Sequence, residues 1–209
     1  MQKRDFDSEA SQWDDNPVRR KMAQDVFSSL TSRIPLDTAM DVMDFGCGTG
    51  LLTVKISPLV RSVTAVDGSA GMLAVLRQKL AGEKIENVRT ERIDPDNGDR
   101  LDGQYDLIVS TMTLHHIREI DRLLNDFHSV LKAGGVLCIS DLDPEQGLFH
   151  PDATGVFHEG FDRRKLHEQF AAAGFTDISA DTASVVSKPA GSDNALRDFT
   201  IFMMTGKKT

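Results

Sequence analysis

The strongest constraint on the fold is an apolar segment that runs directly into three alternating glycines. Residues 42–50 read Val-Met-Asp-Phe-Gly-Cys-Gly-Thr-Gly. The apolar half predicts a buried strand, and the glycines predict a tight turn whose backbone takes positive φ values and leaves room for a ligand. A tight turn between a strand and a helix also needs glycine for conformational reasons alone, so the motif by itself does not establish a ligand site.

Short apolar runs alternate with helical stretches on both sides of this turn. Helix-start residues Asn16 and Pro17 begin a predicted helix that ends near Ile34 and Pro35. The other predicted helices cover 51–57, 70–81, 120–131 and 163–173, and the predicted strands cover 41–45, 62–66, 88–92, 105–110 and 136–140. This alternation is typical of an α/β fold with a doubly wound, mostly parallel sheet and helices on both faces.

The last quarter of the chain follows another pattern. Residues 176–187 and 198–205 predict two long strands without a helix between them, joined by the turn-forming residues 188–192. Strands joined this closely pair antiparallel. We therefore predict a seven-stranded sheet with an antiparallel C-terminal hairpin at one edge, in a single domain spanning 1–209.

Charge and composition exclude several classes of binding partner and ligand. The formal net charge of -8 repels phosphate backbones and anionic lipid headgroups, so nucleic acid is not an expected partner. Cys47 and Cys138 lack the spacing of a zinc site. No apolar run approaches the roughly 20 residues that cross a bilayer, and the N-terminus has no apolar stretch behind its basic residues. These features predict a cytoplasmic protein without a membrane span.

Asp67 ends the strand that follows the glycine turn. A carboxylate at this point accepts hydrogen bonds from both ribose hydroxyls of a nucleotide lying across the strand ends. Alternatively, it caps the next helix through Ser69 and Gly71. The pairing of the acidic residue with the glycine turn favours a ligand that contains a nucleoside.

Four segments carry a resemblance to a known family. DFGCGTG at 44–50, VDGS at 66–69, YDLIVSTMTLHHI at 105–117 and LKAGGVLCISD at 131–141 resemble the class I, seven-stranded S-adenosylmethionine-dependent methyltransferases. The resemblance is to the small-molecule branch that includes the quinone-biosynthesis C-methyltransferases. It covers most of the chain and implies an enzyme with S-adenosyl-L-methionine as cofactor, a small-molecule methyl acceptor, and an antiparallel last strand.

The resemblance also implies the cofactor-binding residues: Asp44, Gly46, Cys47, Gly48, Gly50, Asp67, Gly68, Asp94 and Ser110. In this scheme Asp44 supports the glycine loop or reaches the cofactor ammonium through water, and Asp94 contacts the adenine amine. Pro95 departs from the family pattern because it has no N–H to offer the adenine ring. The other interpretation of residues 94–98 is a surface turn.

Two other functions remain as alternatives. A dinucleotide-dependent oxidoreductase would need a third glycine where this chain has Leu51, which argues against it. A non-catalytic module that binds S-adenosylmethionine for regulation or assembly would keep the same glycines and Asp67. The segment after Val109 reads Ser-Thr-Met-Thr and lacks the asparagine-proline-proline-aromatic signature of amino-methylating enzymes of nucleic acids.

Candidate residues for the chemistry follow the fourth and fifth strands. His115 and His116 are candidate general bases, with packing beside the cofactor or helix capping as the alternative. The candidate substrate-binding residues are Trp13, Thr113, His150 and His158. Loops at the carboxyl edge of an open sheet are where substrates bind.

The same reasoning divides the predicted domain into three functional segments. Residues 1–35 form an N-terminal helical lid or cap, 36–145 the cofactor-binding core, and 146–209 the substrate loop with the C-terminal strands. Phe6 and Trp13 either close the lid over the pocket or pack into the core. We predict no metal, because His150, His158 and Asp141 do not have the spacing of a defined ligand set. The methylated atom, C, N, O or S, and the oligomeric state stay open.

Overall fold

A seven-stranded sheet organises the chain, in the strand order β3-β2-β1-β4-β5-β7-β6. The structure is a computed structural model that describes residues 4–209, so the first three residues of the predicted N-terminal segment lie outside the described residues. The strands are β1 Asp41–Phe45, β2 Ser62–Asp67, β3 Val88–Arg92, β4 Tyr105–Thr111, β5 Leu131–Leu142, β6 Phe175–Ala190 and β7 Ala195–Lys208.

The helices connect these strands. They are α1 Phe6–Glu9, α2 Pro17–Arg33, α3 Thr53–Ile56, α4 Ala70–Glu83, α5 Ile120–Val130 and α6 Arg163–Ala172. Short 3-10 turns cover Ala10–Asp15, Ser57–Leu59, Pro95–Asn97 and Leu114–His116. Capping explains several ends: the Asn16 side chain accepts from Val18 N at the start of α2, and Asp162 accepts from two backbone amides at the start of α6.

The sheet topology confirms the predicted fold class. Strands β1 to β5 pair in parallel, and β7 pairs antiparallel with both β5 and β6. Along β1, Val42 faces a core formed with α2 and α3, whereas Met43 and Phe45 face a second core formed with α5 and α6. Both faces of the sheet are therefore covered, as the long apolar runs of its central strands require.

The strand order reverses between β1 and β4, and this places the candidate site. Because β1, β2 and β4 are parallel neighbours, their carboxyl ends meet at one edge of the sheet. Open α/β sheets bind ligands in the crevice outside such strand ends, next to the point where the order reverses. Phe45, Asp67 and Thr111 end these three strands.

Some predicted boundaries were wrong. The helix expected over 51–57 is reduced to α3 and continues as the 3-10 turn Ser57–Leu59, where Pro58 lacks the N–H that a regular helix would use. The strand expected over 136–140 extends to the whole of Leu131–Leu142 because β7 pairs with its second half. The hairpin turn is only 191–194, since ladder pairing continues to Ala190 and Ala195.

Within residues 4–209, none of the helices has the length and apolar character that spanning a membrane requires.

Packing against α5 generates the first testable prediction. Phe127 is fully buried, and its ring meets the Phe45 ring edge-on at a centroid distance of 5.0 Å. We expect Phe127→Ala to lower the free energy of unfolding by about 3–5 kcal/mol, because it removes buried apolar surface and leaves a cavity. Urea unfolding measures the change.

The control is Leu196→Ala, at a leucine that is 72% exposed on β7. We expect this variant to change the free energy of unfolding by no more than about 0.5 kcal/mol. Equal losses in the two variants would contradict the placement of α5 against the sheet.

Candidate functional site

The glycine turn follows β1, and its three glycines have different surroundings. Gly46, Gly48 and Gly50 all have positive φ, at 72°, 55° and 81°. A Cβ on Gly46 would lie 2.1 Å from Thr113 Oγ1, and one on Gly50 would lie 2.3 Å from Leu76 Cδ1. A Cβ on Gly48 would meet nothing within 4 Å. Gly46 and Gly50 therefore serve close packing, and Gly48 alone borders open space.

Asp67 holds the tip of this turn from the neighbouring strand. Its carboxylate accepts a hydrogen bond from Gly48 N at 2.8 Å and another from Ser69 N at 2.8 Å. Burial raises the pKa of Asp67 above its ordinary value. Of the two capping contacts in the alternative interpretation, Asp67 makes the one with Ser69 N, whereas Gly71 N donates to Asp7. The N-cap of α4 is Ser69, whose side chain accepts from Met72 N.

Asp44 lies beneath the turn on β1. Thr53 Oγ1 donates to Asp44 Oδ2 at 2.5 Å, so the carboxyl group links β1 to α3. Burial, with the charge of Asp67 nearby, raises the pKa of Asp44 to about 7. The Thr53 contact corresponds to the loop-supporting role that the resemblance implies.

Cys47 packs under the turn. Its side chain is buried in the apolar cluster that contains Ala65 and Leu73. Burial raises the pKa of the thiol well above its ordinary value, which leaves it protonated and unreactive. The Cys47 backbone N–H donates to Val66 O at 3.0 Å, so any contribution of this residue to a ligand site comes through the turn conformation.

Gly68 and Asp94 are neighbours at the same edge of the sheet. A Cβ on Gly68 would lie 3.6 Å from Asp94 Cβ. The Asp94 carboxylate caps its own 3-10 turn, accepting from Asp96 N at 3.2 Å and from Asn97 Nδ2 at 2.9 Å. The surface-turn interpretation of this segment is thus observed, and the turn nevertheless lies beside Asp67, where the adenine contact is predicted.

Ser110 and Thr113 continue the site from β4. Ser110 pairs with Phe45 in the sheet, and its hydroxyl is buried without a hydrogen-bond partner among residues 4–209. Thr113 Oγ1 contacts Gly46 O at 3.4 Å and Thr111 O at 3.1 Å. These contacts bring the end of β4 against the glycine turn.

A cluster of three histidines lies just beyond Thr113; we call His115, His116 and His150 the histidine cluster. His115 Nδ1 is 2.7 Å from Asp141 Oδ1, and both side chains are almost completely buried. His150 Nε2 is 3.1 Å from His115 Nε2. His116 Nδ1 donates to Gly155 O at 2.7 Å.

Burial sets the protonation of this cluster. It lowers the pKa of His116 to about 4 and the pKa of His150 to about 3, so both rings are neutral at physiological pH. Burial alone would raise the pKa of Asp141, but the hydrogen bonds that its carboxylate accepts from the His115 ring and from the backbone amides of Leu142 and His115 bring it below the ordinary value. Sequence reasoning missed Asp141 as the partner of His115, because the two residues lie 26 positions apart.

Two predicted substrate residues lie outside the histidine cluster. His158 Nε2 donates to Ile117 O at 2.8 Å, and its ring packs beside Phe161. The Arg19 guanidinium covers the Trp13 ring at 3.5 Å, and Trp13 meets Phe6 edge-on. Trp13 is half-buried and belongs to none of the core clusters of residues 4–209, so core packing is not observed for it. Phe6 connects Trp13 to the site, because the Phe6 ring contacts His116 at a centroid distance of 5.1 Å.

The N-terminal segment is fastened to the glycine turn by contacts that sequence reasoning missed. Thr49 Oγ1 donates to Asp14 Oδ1 at 2.5 Å, and Lys79 forms an ion pair with Asp14. On the other side, Asp7 accepts from Gly71 N at 2.8 Å at the start of α4. No local sequence pattern marks these pairs, which are 35 to 65 residues apart in the chain.

Comparisons with known proteins match this geometry. Residues 18–180 match the sequence profile of a methyltransferase domain family. The chain is 29% identical over 150 residues to the malonyl-[acyl-carrier protein] O-methyltransferase of Bacillus cereus, covering 71% of this chain and 52% of the relative. It is 28% identical over 137 residues to an uncharacterised methyltransferase of Schizosaccharomyces pombe, covering 59% of this chain and 48% of the relative. The chain thus spans about half the length of these curated relatives.

A solved structure shows the same fold. The structure of DhpI with SAH superposes with a TM-score of 0.73 at 21% sequence identity, covering 97% of this chain and 93% of that one. The predicted class I fold and the recognition as a methyltransferase are confirmed; S-adenosyl-L-methionine as cofactor and membership of the quinone-biosynthesis branch are taken up below as a proposal and a prediction. Since the family profile covers most of the chain, this protein belongs to the methyltransferase domain family.

Proposed function

We propose that this chain is a methyltransferase that binds S-adenosylmethionine across the ends of β1 and β2 and methylates a small-molecule acceptor. One observation carries the proposal. The backbone at Gly48 borders open space while its amide is held by Asp67, the carboxylate at the end of the neighbouring strand.

The residues at this edge fit the cofactor. Each oxygen of the Asp67 carboxylate accepts one backbone N–H and keeps a second lone pair for a ribose hydroxyl. The buried and unpartnered Ser110 hydroxyl supports a ligand group at the end of β4. Asp44 supplies an acidic environment under the turn for the ammonium and sulfonium groups of a cationic cofactor. Cys47, Gly68 and Asp94 complete the proposed cofactor site, with Asp94 on the adenine side.

The chain's own residues then have to orient the cofactor and the acceptor and to enclose them away from water. When bound, the cofactor supplies a methyl group on a sulfonium for in-line displacement. Positioning and exclusion of water are the main contributions that a protein makes to such a step. The N-terminal segment, docked through Asp14 and Asp7, forms the lid we propose for this purpose.

The acceptor is placed on the side of the histidine cluster. Thr113 joins this cluster to the glycine turn, and Phe6 and Phe149 bring aromatic rings against His116 and His150. A half-buried site of this kind favours a small, partly apolar acceptor over a polymer. The net charge of -8 argues in the same direction against nucleic acid. The catalytic roles of His115 and His116, and a substrate contact for His158 and Trp13, stay predictions.

Asp67→Ala tests the cofactor site. We expect the affinity for S-adenosylmethionine to fall by several-fold to a hundredfold, as roughly 1–3 kcal/mol of charge-assisted hydrogen bonding is lost. Calorimetric titration measures the affinity. Asp162→Ala is a matched control, because Asp162 also accepts two backbone N–H groups, at the start of α6. Equal affinity in the Asp67 variant and the unaltered protein would show that the acidic partner is misassigned.

Gly48→Ala tests the open space at the turn. Gly134 has a similar positive φ of 78° and a Cβ there would also meet nothing, so Gly134→Ala is the control for backbone strain. We expect each variant to lose about 1 kcal/mol of stability. Only Gly48→Ala should also bind S-adenosylmethionine at least tenfold more weakly, because its methyl group occupies the ligand's space. Thermal unfolding and calorimetry separate the two effects, and unchanged binding by Gly48→Ala would contradict the proposed site.

Turnover with labelled cofactor tests catalysis and the acceptor class together. We expect the protein, incubated with methyl-labelled S-adenosylmethionine and a cell extract, to transfer label to a compound in the small-molecule fraction. The Gly48→Ala variant serves as the low-affinity control. Label found only in the protein fraction would point to a carrier-bound acceptor instead, and binding without any transfer would favour the non-catalytic module.

A further inference from the structure

We propose that the histidine cluster, His115, His116 and His150, is a binding site for one divalent transition-metal ion. One nitrogen from each ring lies within 4.8 Å of the others. From the sequence we predicted no metal, because His150, His158 and Asp141 lack the spacing of a ligand set. The histidine cluster is a different group, which the fold assembles from a 3-10 turn after β4 and a loop after β5. Neither the cofactor nor the proposed methyl transfer requires this arrangement.

His115 has the surroundings of a metal ligand. Its Nδ1 lies 2.7 Å from the buried Asp141 carboxylate, which can only accept, so Nδ1 carries the proton. In the neutral ring this leaves the lone pair on Nε2, which points at His150 Nε2 3.1 Å away. Histidines that bind metals almost always donate their second N–H to a carboxylate or carbonyl in this way, which fixes the tautomer and the ring orientation.

The His116 ring is oriented in the same way as the His115 ring, but by a backbone carbonyl group. Its Nδ1 donates to the carbonyl oxygen of Gly155 at 2.7 Å, so the lone pair of the neutral ring is on Nε2. The ring centroid of His116 lies 4.1 Å from that of His115 and 5.5 Å from that of His150. Two of the three rings are thus oriented by hydrogen bonds that leave their other nitrogen available to an ion.

The spacing is close to that of a bound ion. A zinc–nitrogen bond of about 2.0–2.1 Å places two tetrahedral ligands about 3.4 Å apart. The 3.1 Å separation of His115 Nε2 and His150 Nε2 is already in this range. The widest separation in the cluster, at most 4.8 Å, has to shorten by about 1.4 Å. His150 is half-buried in a loop outside the regular elements, so its side chain has room to make this adjustment.

Charge and ligand type select the class of ion. The fully buried Asp141 carboxylate places a negative charge directly behind His115. The cations Arg4 and Lys188 oppose it. The Arg4 guanidinium is paired with Glu9 at 2.8 and 2.9 Å, and the Lys188 ammonium lies over the Phe149 ring. Imidazole ligands suit zinc, copper, nickel and iron, whereas magnesium and calcium prefer oxygen ligands. The site is therefore proposed for Zn²⁺ or a similar transition-metal ion.

The proposed metal site lies close to the proposed acceptor site. Three protein ligands leave a fourth tetrahedral position for water or for an oxygen or sulfur atom of another molecule. Thr113, two residues before His115, contacts the glycine turn, so the histidine cluster lies on the side assigned to the acceptor. That last assignment rests on the proposed function, while metal binding itself does not.

Metal titration of the full chain tests the proposal. After removal of metals with a chelator, we expect calorimetry to show one Zn²⁺ bound per chain, and Co²⁺ to give the visible absorption of a tetrahedral site. His150→Ala should weaken Zn²⁺ binding by at least tenfold, because a direct ligand is lost. Asp141→Asn should weaken it by about 10–100-fold, since the orienting carboxylate is lost.

His167→Ala is the matched control, because His167 is exposed on α6 and lies outside the cluster. It should bind Zn²⁺ like the unaltered protein, and thermal unfolding checks that all variants are folded. Absence of stoichiometric Zn²⁺ binding, or equal binding by the His150 and His167 variants, would overturn the proposal and leave a hydrogen-bonded histidine pair. Calorimetry with S-adenosylmethionine on the same samples tests the proposed function separately.

Discussion

The hydrogen bond between the Asp67 carboxylate and the Gly48 amide joins the two strand ends on which the candidate site depends. Parallel pairing of β1 and β2 brings the two residues to one edge. The packing of Gly46 against Thr113 and of Gly50 against Leu76 then fixes the turn so closely that neither position accepts a Cβ. Of the three, only the middle glycine borders open space, and this bare backbone is where we propose that the cofactor binds. A rigid turn of this kind holds its exposed backbone in a fixed position before any ligand arrives.

The sequence predicted the parts of the fold that depend on local pattern. The apolar run before Gly46, the alternation of strands and helices, and the two unbroken strands at the end all have periodicities that only a few architectures satisfy. The predicted boundaries of strands and helices were wrong where tertiary contacts determine them. Strand β5 is longer than its apolar stretch because β7 supplies ladder partners to Leu142, and the helix after the glycine turn is shortened at Pro58.

The candidate site likewise contains residues that could be predicted from the sequence and contacts that could not. Gly48 and Asp67 could be predicted because each sits at a strand end, and strand ends of a parallel sheet share an edge. The partner of His115 and the docking of Asp14 on Thr49 could not, since these contacts depend on how loops fold back over that edge. His150 was predicted for the substrate side, but its position next to His115 follows only from the path of the loop after β5. That path brings His150 to His115 and His116, a grouping that the sequence-based prediction of no metal did not consider.

The central claim is that the nucleoside of S-adenosylmethionine lies across the ends of β1 and β2. A crystal structure of the protein grown with S-adenosylhomocysteine, the demethylated form of the cofactor, tests this most directly. The account predicts the ribose hydroxyls within hydrogen-bonding distance of the Asp67 carboxylate and the amino-acid end of the ligand against the backbone at Gly48. A ligand bound elsewhere, or a crevice at Gly48 filled by the protein's own side chains, would contradict it.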